Sequence, residues 1–277
     1  MENTLNRHAS TLTPNATALL KKSGELITVL TAYDYPGARL LEEAGVDWIL
    51  VGDSLGMVVL GYPDTTSVTL ADMIHHTAAV SRGLSHTPLI ADLPIGTYAT
   101  PDETLKNAKA LIDAGAHAVK LEGGVSHAPQ IKALASAGIP VMGHIGMLPQ
   151  RVREEGGYKI KGKSPEQAKS LVEDAVALEA AGAFSMVVEL VHPDTAHLIQ
   201  KAVQIPTIGI GAGPHCDGQV LVTHDLIGAF PWFRPKFVTP TLNVGDLIRG
   251  AAQNWIQQLK RSRGPVAENG IPLSGKG

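Results

Sequence analysis

The chain alternates between short apolar runs and longer amphipathic stretches, and this alternation constrains its fold more than any other feature. The stretches at 101–115 and 164–182 carry Pro in their first turn and end in Ala-Gly, which are signals for the start and the end of a helix. The apolar runs have the length and aliphatic content of buried strands. Eight such runs, the last weaker than the others, lie at 26–34, 46–54, 87–94, 116–124, 139–147, 183–191, 205–213 and 235–240. Eight strands, each followed by a helix, predict an α/β fold, a closed (β/α)8 TIM barrel.

An open doubly wound sheet is the alternative that the same alternation allows. Such a sheet typically carries the phosphate fingerprint G-x-G-x-x-G early in the chain, and this sequence lacks it. The stretch "GIGAG" at 209–213 fails the pattern because Pro214 and Cys216 stand where its last glycine would fall. We therefore expect one barrel domain over 1–277, with a helical N-terminal segment at about 1–25 and a flexible tail at about 260–277.

Composition limits the classes of partner and compartment. The 277 residues carry a formal charge of -3, with no basic stripe, so nucleic acid is not an expected partner. Cys216 is the one cysteine, which excludes an internal disulfide and a thiolate zinc cluster. The N-terminus has no signal-peptide pattern, and no apolar run is long enough to cross a bilayer. A cytoplasmic protein without a membrane partner is the expectation.

Charged residues stand at or near the ends of five successive predicted strands. In a barrel these ends meet at one mouth, where active sites form. Each residue alone has an ordinary explanation, such as a helix cap, an ion pair or a buried core histidine. Their joint occurrence instead indicates one shared pocket, formed by Asp53, Asp92, Lys120, Glu122, His144 and Glu189.

The chemistry of these side chains suits a hard divalent cation. Carboxylate oxygens are the ligands that Mg²⁺ prefers, and Asp53, Asp92 and Glu122 come from neighbouring strands. A lysine beside the cation indicates an anionic substrate, and a further carboxylate could then act as a general base. The residues alone leave open which acids hold the metal and which one is the base.

Two loops add weaker indications. Residues 148–163 form a long charged segment after the fifth predicted strand, which makes it a candidate lid over the mouth. The glycine-rich stretch after the seventh predicted strand, at 209–218, could bind an anion through backbone N–H groups. A tight turn that requires small residues explains the same stretch equally well.

A set of motifs in fixed order resembles the ketopantoate hydroxymethyltransferase family. The resemblance extends from about residue 26 to about residue 237, and "GDSLGM" followed by "KLEGG" is its most specific part. The motifs are "LTAYD" (30–34), "VGDSLGMVVLG" (51–61), "ADLP" (91–94), "VKLEGG" (119–124), "PVMGHIG" (140–146), "GGYKIKGK" (156–163), "IPTIGIGAGP" (205–214) and "CDGQVLV" (216–222).

The resemblance implies a (β/α)8 barrel of the phosphoenolpyruvate/pyruvate superfamily and a set of roles. Mg²⁺ would be held by Asp53, Asp92 and Glu122, partly through water. Glu189 would take the C3 proton of 3-methyl-2-oxobutanoate, and the enolate would attack the methylene carbon of 5,10-methylenetetrahydrofolate, giving 2-dehydropantoate for pantothenate synthesis. The implied assembly is a homo-oligomer, often a decamer. The residues implied to contact the α-keto acid are Asp53, Ser54, Asp92, Lys120 and His144.

Three positions depart from the family pattern. They are Ile95-Gly96-Thr97, Leu190 and Thr223-His224-Asp225, and they bear on substrate preference rather than on the metal or base positions. Two other functions stay open: a Mg²⁺-dependent α-keto acid lyase or mutase of the same superfamily, and a non-catalytic barrel that binds a keto acid.

Overall fold

The structure, a computed structural model, describes residues 11–262. Eight parallel strands form a closed barrel in chain order, and the last strand pairs with the first through the register Ile27↔Gly218. The predicted (β/α)8 barrel is confirmed, and the open sheet is wrong. The strands are β1 (Ile27–Thr31), β2 (Trp48–Val51), β3 (Leu89–Asp92), β4 (Ala118–Lys120), β5 (Val141–Gly146), β6 (Ser185–Glu189), β7 (Thr207–Ile210) and β8 (Gly218–Leu221).

Some helices begin where the sequence places a capping side chain before a proline. The side chains of Thr100 and Ser164 accept hydrogen bonds from the backbone N–H groups of Glu103 and Gln167, which caps the two helices predicted at 101–115 and 164–182. The helices are α1 (Pro14–Ser23), α2 (Tyr35–Glu43), α3 (Leu55–Val58), α4 (Leu70–Ser81), α5 (Pro101–Asp113), α6 (Ala128–Ser136), α7 (Pro165–Ala180), α8 (Pro193–Ala202), α9 (Thr223–Leu226) and α10 (Val244–Ser262).

The prediction for the last strand is wrong. The eighth strand is β8 and not 235–240, where Pro235 and Pro240 lack the N–H groups that a sheet ladder needs. The chain also passes from β7 to β8 through a loop at 211–217, so the helix expected after the seventh strand is wrong as well. The other seven predicted runs each contain one strand.

The inside of the barrel is filled by every second residue of the strands, because successive side chains point to opposite faces. This inner core is separate from the larger core between the sheet and the helices. Trp48 and Phe184 meet edge to face within it, with ring centroids 5.7 Å apart. The strand residues Ile27, Val29, Trp48, Leu50, Ile90, Ala118, Met142, Val187, Ile208 and Val220 belong to the inner core.

The described residues divide into two compact units, one ending at Thr223 and the other beginning at His224. The barrel lies in the first unit and α10 in the second. The single domain predicted over 1–277 stays a prediction. Helix α1 lies within the predicted N-terminal helical segment, whereas most of the predicted tail, 263–277, lies outside the described residues. None of the helices in 11–262 has the length and apolar content that crossing a membrane requires.

Candidate active site

The alternation that fills the barrel also builds a polar layer at its mouth. Asp92 and Lys120 stand two residues after the inner-core residues of β3 and β4, and His144 and Glu189 stand two residues after those of β5 and β6. Each side chain therefore points into the barrel, at the carboxyl end of its strand. All four are buried. The structure brings these four sequence-predicted residues together from four successive strands.

Asp53 and Glu122 lie just beyond their strands, because β2 ends at Val51 and β4 ends at Lys120. Glu122 therefore joins the layer from the loop after β4, two residues beyond Lys120. The backbone N–H of Asp53 donates to Asp92 Oδ2 at 3.1 Å, which fixes the first loop against β3. Both carboxyl groups are buried.

Ser54 lies beside this layer. Its Oγ is 2.8 Å from the hydroxyl of Tyr33, a buried residue in the loop after β1. The backbone carbonyl of Tyr33 in turn contacts Nδ1 of His76 at 2.6 Å. The Ser54 hydroxyl is thus held by a side chain from the neighbouring loop.

The charged groups form one chain of contacts. Lys120 Nζ lies 2.9 Å from Asp92 Oδ1 and 3.5 Å from His144 Nδ1. Nδ1 of His144 is also 3.5 Å from Glu122 Oε1, and Nε2 of His144 is 3.2 Å from Glu189 Oε2. Glu189, the base that the family resemblance implies, therefore contacts His144. The contact follows from the fold, because β5 and β6 are paired neighbours that both end at the mouth.

Burial and repulsion between carboxylates disfavour charge on Asp53 and Asp92. Burial is the largest cause that raises the pKa of Asp53 well above its ordinary value, and the charges of Asp92 and Glu122 raise it further. Burial also raises the pKa of Asp92, although Lys120 opposes the shift. Without a further cation, the site resists holding all of its carboxyl groups ionised.

The same surroundings favour the charged forms of the two basic groups, because they raise the pKa values of Lys120 and His144. Burial disfavours the charge on Lys120, but attraction to Asp92, Glu122 and Asp53 outweighs it and raises the pKa of the ammonium group. For His144, burial and Lys120 lower the pKa, while Glu122 and Glu189 raise it more, to about 9. Two cationic groups therefore stand among the acids at neutral pH.

Two residues that the sequence interpretation missed complete the site. Gln150 donates through Nε2 to Asp53 Oδ2 at 2.8 Å, and its backbone N–H donates to Glu122 Oε2 at 3.1 Å. The hydroxyl of Tyr98 donates to Gln150 Oε1 at 2.5 Å. Gln150 lies in a short 3-10 helix, Pro149–Arg151, after β5, and Tyr98 lies in the loop after β3. Neither side chain is charged near neutral pH, so no pattern of charge or periodicity marks them.

Residues 148–163, the predicted lid, contact the neighbouring loops. Arg153 donates to Asp64 through Nε at 2.7 Å and through Nη2 at 3.1 Å, which ties the segment to the loop after α3. Its far end lies beside the end of β6, because the N–H of Lys161 donates to the carbonyl of Leu190, the residue after β6, at 2.8 Å. Leu190 has a φ of 45°, a left-handed conformation that is unusual outside glycine, directly after Glu189.

The glycine-rich loop after β7 has the geometry of a tight turn. Gly211 and Gly213 have φ values of 62° and 79°, which side chains other than glycine rarely adopt. The turn accounts for these two glycines, and binding of an anion there stays a prediction.

The capacity of the site to hold a metal depends on how its acids are placed. Across residues 11–262, no three His, Cys, Asp or Glu side chains are spaced as a ready-made metal site. Asp92 Oδ1 and Glu122 Oε1 are nevertheless buried without an aligned hydrogen bond to any described residue, although each lies near a cationic group. Such oxygens are acceptors that a cation, directly or through its bound water, can satisfy.

Comparison with known proteins identifies the family. A model of the family described as "Ketopantoate hydroxymethyltransferase" matches residues 12–267. The chain belongs to the ketopantoate hydroxymethyltransferase family. The resemblance predicted from the motifs is thereby confirmed, and the family name makes the chain an enzyme of the hydroxymethyltransferase class.

Two relatives from different organisms share one enzyme name. The chain is 50% identical over 256 residues to "3-methyl-2-oxobutanoate hydroxymethyltransferase" of Clostridium botulinum, covering 92% of this chain and 93% of the relative. It is 53% identical over 254 residues to the enzyme of the same name from Pyrobaculum aerophilum, covering 91% and 96%. The similarity to these relatives of the ketopantoate hydroxymethyltransferase family therefore extends over more than 90% of the chain.

A more distant likeness extends to other barrels. The crystal structure of a phosphonopyruvate hydrolase in complex with oxalate and Mg²⁺ matches with a TM-score of 0.59 and 16% identity, over 94% of this chain and 91% of that chain. At this identity the likeness shows the fold alone. The ketopantoate hydroxymethyltransferase family thus shares its barrel with enzymes of other chemistry, and the family match favours hydroxymethyl transfer over the lyase or mutase alternative.

Proposed function

We propose that the protein transfers a hydroxymethyl group to 3-methyl-2-oxobutanoate, giving 2-dehydropantoate in pantothenate synthesis. The observation that carries the proposal is the buried layer of acids around Lys120 and His144 at the mouth of a barrel of this family. A buried cluster that combines carboxylates with a lysine suits an anionic substrate bound beside a cation. A cytoplasmic location, expected from the sequence, and a homo-oligomeric assembly, implied by the family resemblance, are further parts of the proposal.

Mg²⁺ fits the residues at the site. Four buried carboxyl groups share the layer with only two cationic groups, Lys120 and His144, so a divalent cation would balance the charge. Asp53, Asp92 and Glu122 would hold it, with water completing the shell, because Mg²⁺ usually retains several waters. When bound, Mg²⁺ supplies Lewis-acid stabilisation of the negative charge that develops on the keto oxygen. The phosphonopyruvate hydrolase complex, which contains Mg²⁺ in a barrel of the same fold, supports this choice by analogy.

Lys120 and Ser54 bind and orient the α-keto acid in this proposal. The raised pKa of Lys120 keeps its ammonium group charged, so it attracts the substrate carboxylate. Ser54 offers a hydroxyl held by Tyr33, and a held hydroxyl loses less freedom when it binds a ligand. The layer is buried, which strengthens both interactions by excluding water.

Glu189 removes the C3 proton, and His144 positions it. The Nε2 of His144 lies 3.2 Å from Glu189 Oε2 without an aligned hydrogen bond, so the positive charge of the ring attracts that carboxylate oxygen. A well-placed general base contributes about 10²–10⁴-fold to a rate. The resulting carbon nucleophile would form a C–C bond to the methylene carbon of 5,10-methylenetetrahydrofolate, the co-substrate that the family resemblance implies. Water would supply the hydroxyl group as the bond from the methylene carbon to the folate nitrogen breaks, giving 2-dehydropantoate and tetrahydrofolate.

The test is direct product formation. We expect the purified protein, with MgCl₂, 3-methyl-2-oxobutanoate and 5,10-methylenetetrahydrofolate, to form 2-dehydropantoate, observed by NMR. Product should disappear with a chelator and in Glu189→Gln. Cleavage of the keto acid without a hydroxymethyl product would favour the lyase alternative, and binding without any turnover would favour a non-catalytic barrel.

A further inference from the structure

Gln150 makes contacts that tie together the loops following β2, β3 and β4. Its Nε2 donates to Asp53 Oδ2 at 2.8 Å and to the carbonyl oxygen of Leu93 at 3.0 Å. Its backbone N–H donates to Glu122 Oε2 at 3.1 Å. The residue is buried. A single side chain and its own backbone therefore fix two of the three acids assigned to the metal.

The chemistry of these contacts requires an amide in one orientation. Both N–H donors of Gln150 face acceptors, the carboxylate of Asp53 and the carbonyl of Leu93. The reversed amide would place its oxygen against both acceptors and lose both bonds. A glutamate at this position would add a second buried carboxylate within hydrogen-bond distance of Asp53, which is unfavourable.

Tyr98 fixes the amide in that orientation. Its hydroxyl donates to Gln150 Oε1 at 2.5 Å, and burial with the nearby charges of Glu122 and Asp53 raises its pKa, so it stays a donor. The backbone of Tyr98 is held in turn, because Gln130 Nε2 donates to its carbonyl at 3.2 Å. Both polar atoms of the Gln150 amide, Nε2 and Oε1, thus have hydrogen-bond partners among the described residues.

We propose that Gln150, held by Tyr98, is a positioning residue that aims Asp53 and Glu122 at the divalent cation. It occupies one oxygen of each carboxylate, and it leaves Glu122 Oε1, which has no aligned hydrogen bond to a described residue, as an acceptor for the cation or its water. Partners that orient metal-ligating carboxylates typically change metal affinity by about 10–100-fold when removed. The inference rests on the proposed function, because it concerns the metal of that site.

The chain offers a matched control at the other end of the barrel. Gln200 Nε2 donates to Asp217 Oδ1 at 2.7 Å, just before β8, so it is also a glutamine that binds an aspartate. The amino-terminal face of a barrel supports stability and not chemistry. Gln200→Met therefore removes the same type of bond without touching the mouth.

The test is titration of the full chain with Mn²⁺, a hard cation that electron paramagnetic resonance detects directly, with Mg²⁺ as competitor. We expect the Kd for Mn²⁺ to rise at least tenfold in Gln150→Met, to rise by a smaller factor in Tyr98→Phe, and to stay within twofold in Gln200→Met. Circular dichroism in chelator would verify that each variant is folded. Tyr98→Phe keeps the test valid if Gln150→Met does not fold.

The outcomes separate the inference from the proposed function. If the wild type binds Mn²⁺ and either Gln150→Met or Tyr98→Phe binds it with the same Kd, the positioning role is wrong. The proposed metal site is then unaffected. No Mn²⁺ binding by the wild type would remove the proposed metal and the inference together. An equal loss of affinity in Gln200→Met would show that the effect is general destabilisation, which also overturns the inference.

Discussion

His144 Nε2 lies 3.2 Å from Glu189 Oε2, and both side chains are buried at the ends of the paired strands β5 and β6. The same imidazole contacts Glu122 through its other nitrogen. The proposed base and a proposed metal ligand are therefore linked by one ring. A variant of His144 can therefore distinguish a residue that positions the base from a residue that binds the substrate.

Replacing His144 should slow turnover more than it weakens binding. His144→Asn keeps a polar group near Glu122 but is too short to reach Glu189, so the base loses its orientation. We expect kcat to fall about 10–100-fold, the range for removal of a partner that orients a catalytic group. The KM for 3-methyl-2-oxobutanoate should change less than about threefold, because the substrate contacts assigned to Lys120 and Ser54 remain. A large rise in KM with an unchanged kcat would instead place His144 on the substrate.

Removing Lys120 should destabilise the protein strongly. Its Nζ is 2.9 Å from Asp92 Oδ1 and both side chains are buried, so Lys120→Met leaves an unpaired buried carboxylate. Loss of one partner from a buried pair typically costs about 3–5 kcal/mol in the free energy of unfolding. Urea denaturation would measure the loss, and the double variant Lys120→Met/Asp92→Asn should recover part of it.

The exposed pair Lys169–Glu173 supplies the control for this prediction. Its atoms are 3.9 Å apart, and both side chains are largely exposed. Lys169→Met should change the free energy of unfolding by less than about 1 kcal/mol. A Lys120→Met variant as stable as Lys169→Met would contradict the account of the buried pair.

Glu42 should make stability depend on pH in the acid range. Its carboxylate accepts hydrogen bonds of 2.9–3.0 Å from the backbone N–H groups of Ser85, His86 and Thr87. Burial raises the pKa of Glu42, but these bonds outweigh it and lower the pKa to about 2 from an ordinary 4.5. The folded protein therefore gains about 3 kcal/mol above pH 4.5, a gain that is lost as the pH falls towards 2.

Glu42→Gln and Glu43→Gln are the matched variants. We expect Glu42→Gln to lower the free energy of unfolding at pH 7 by about 1–3 kcal/mol, because a neutral amide offers a single, weaker acceptor. The difference from wild type should shrink as the pH falls from 4.5 towards 2. The exposed Glu43→Gln should show neither effect. A pH-independent difference for Glu42→Gln would contradict the role of its charge.

The Arg153–Asp64 pair should hold the segment 148–163 without stabilising the whole fold. The contact is bidentate, but the Arg153 side chain is 61% exposed, so its contribution to global stability should stay below about 1 kcal/mol. Arg153→Ala should accelerate limited proteolysis within 148–163 several-fold. Arg39→Ala, which removes an exposed pair on α2, should leave the cleavage rate unchanged. Equal rates in both variants would show that the pair does not hold the segment.

The sequence predicts the parts of the site that strand alternation determines. Asp92, Lys120, His144 and Glu189 stand on strands whose aliphatic pattern is clear, so the period of two places them at the mouth. The eighth strand escapes this pattern because β8 is short and contains Gly218 and the exposed Gln219, whereas 235–240 looks more apolar.

The rest of the site depends on loops, where neither periodicity nor charge carries information. Gln150 is a neutral residue in a short 3-10 helix between β5 and α7, and its contacts with Asp53 and Glu122 exist only once the barrel brings these segments together. The contact of Glu189 with His144 is equally hidden, because the predicted barrel makes β5 and β6 neighbours but the register between them cannot be read from spacing. Local patterns thus predict which residues reach the mouth, and tertiary packing decides their partners.

The claim that Glu189 removes the C3 proton of 3-methyl-2-oxobutanoate beside Mg²⁺ is tested most sharply by exchange of that proton in D₂O, followed by NMR with MgCl₂ and without folate. We expect exchange that stops when a chelator is added and that is abolished in Glu189→Gln. Absence of exchange in folded, Mg²⁺-supplied wild-type protein, or undiminished exchange in Glu189→Gln, would contradict it.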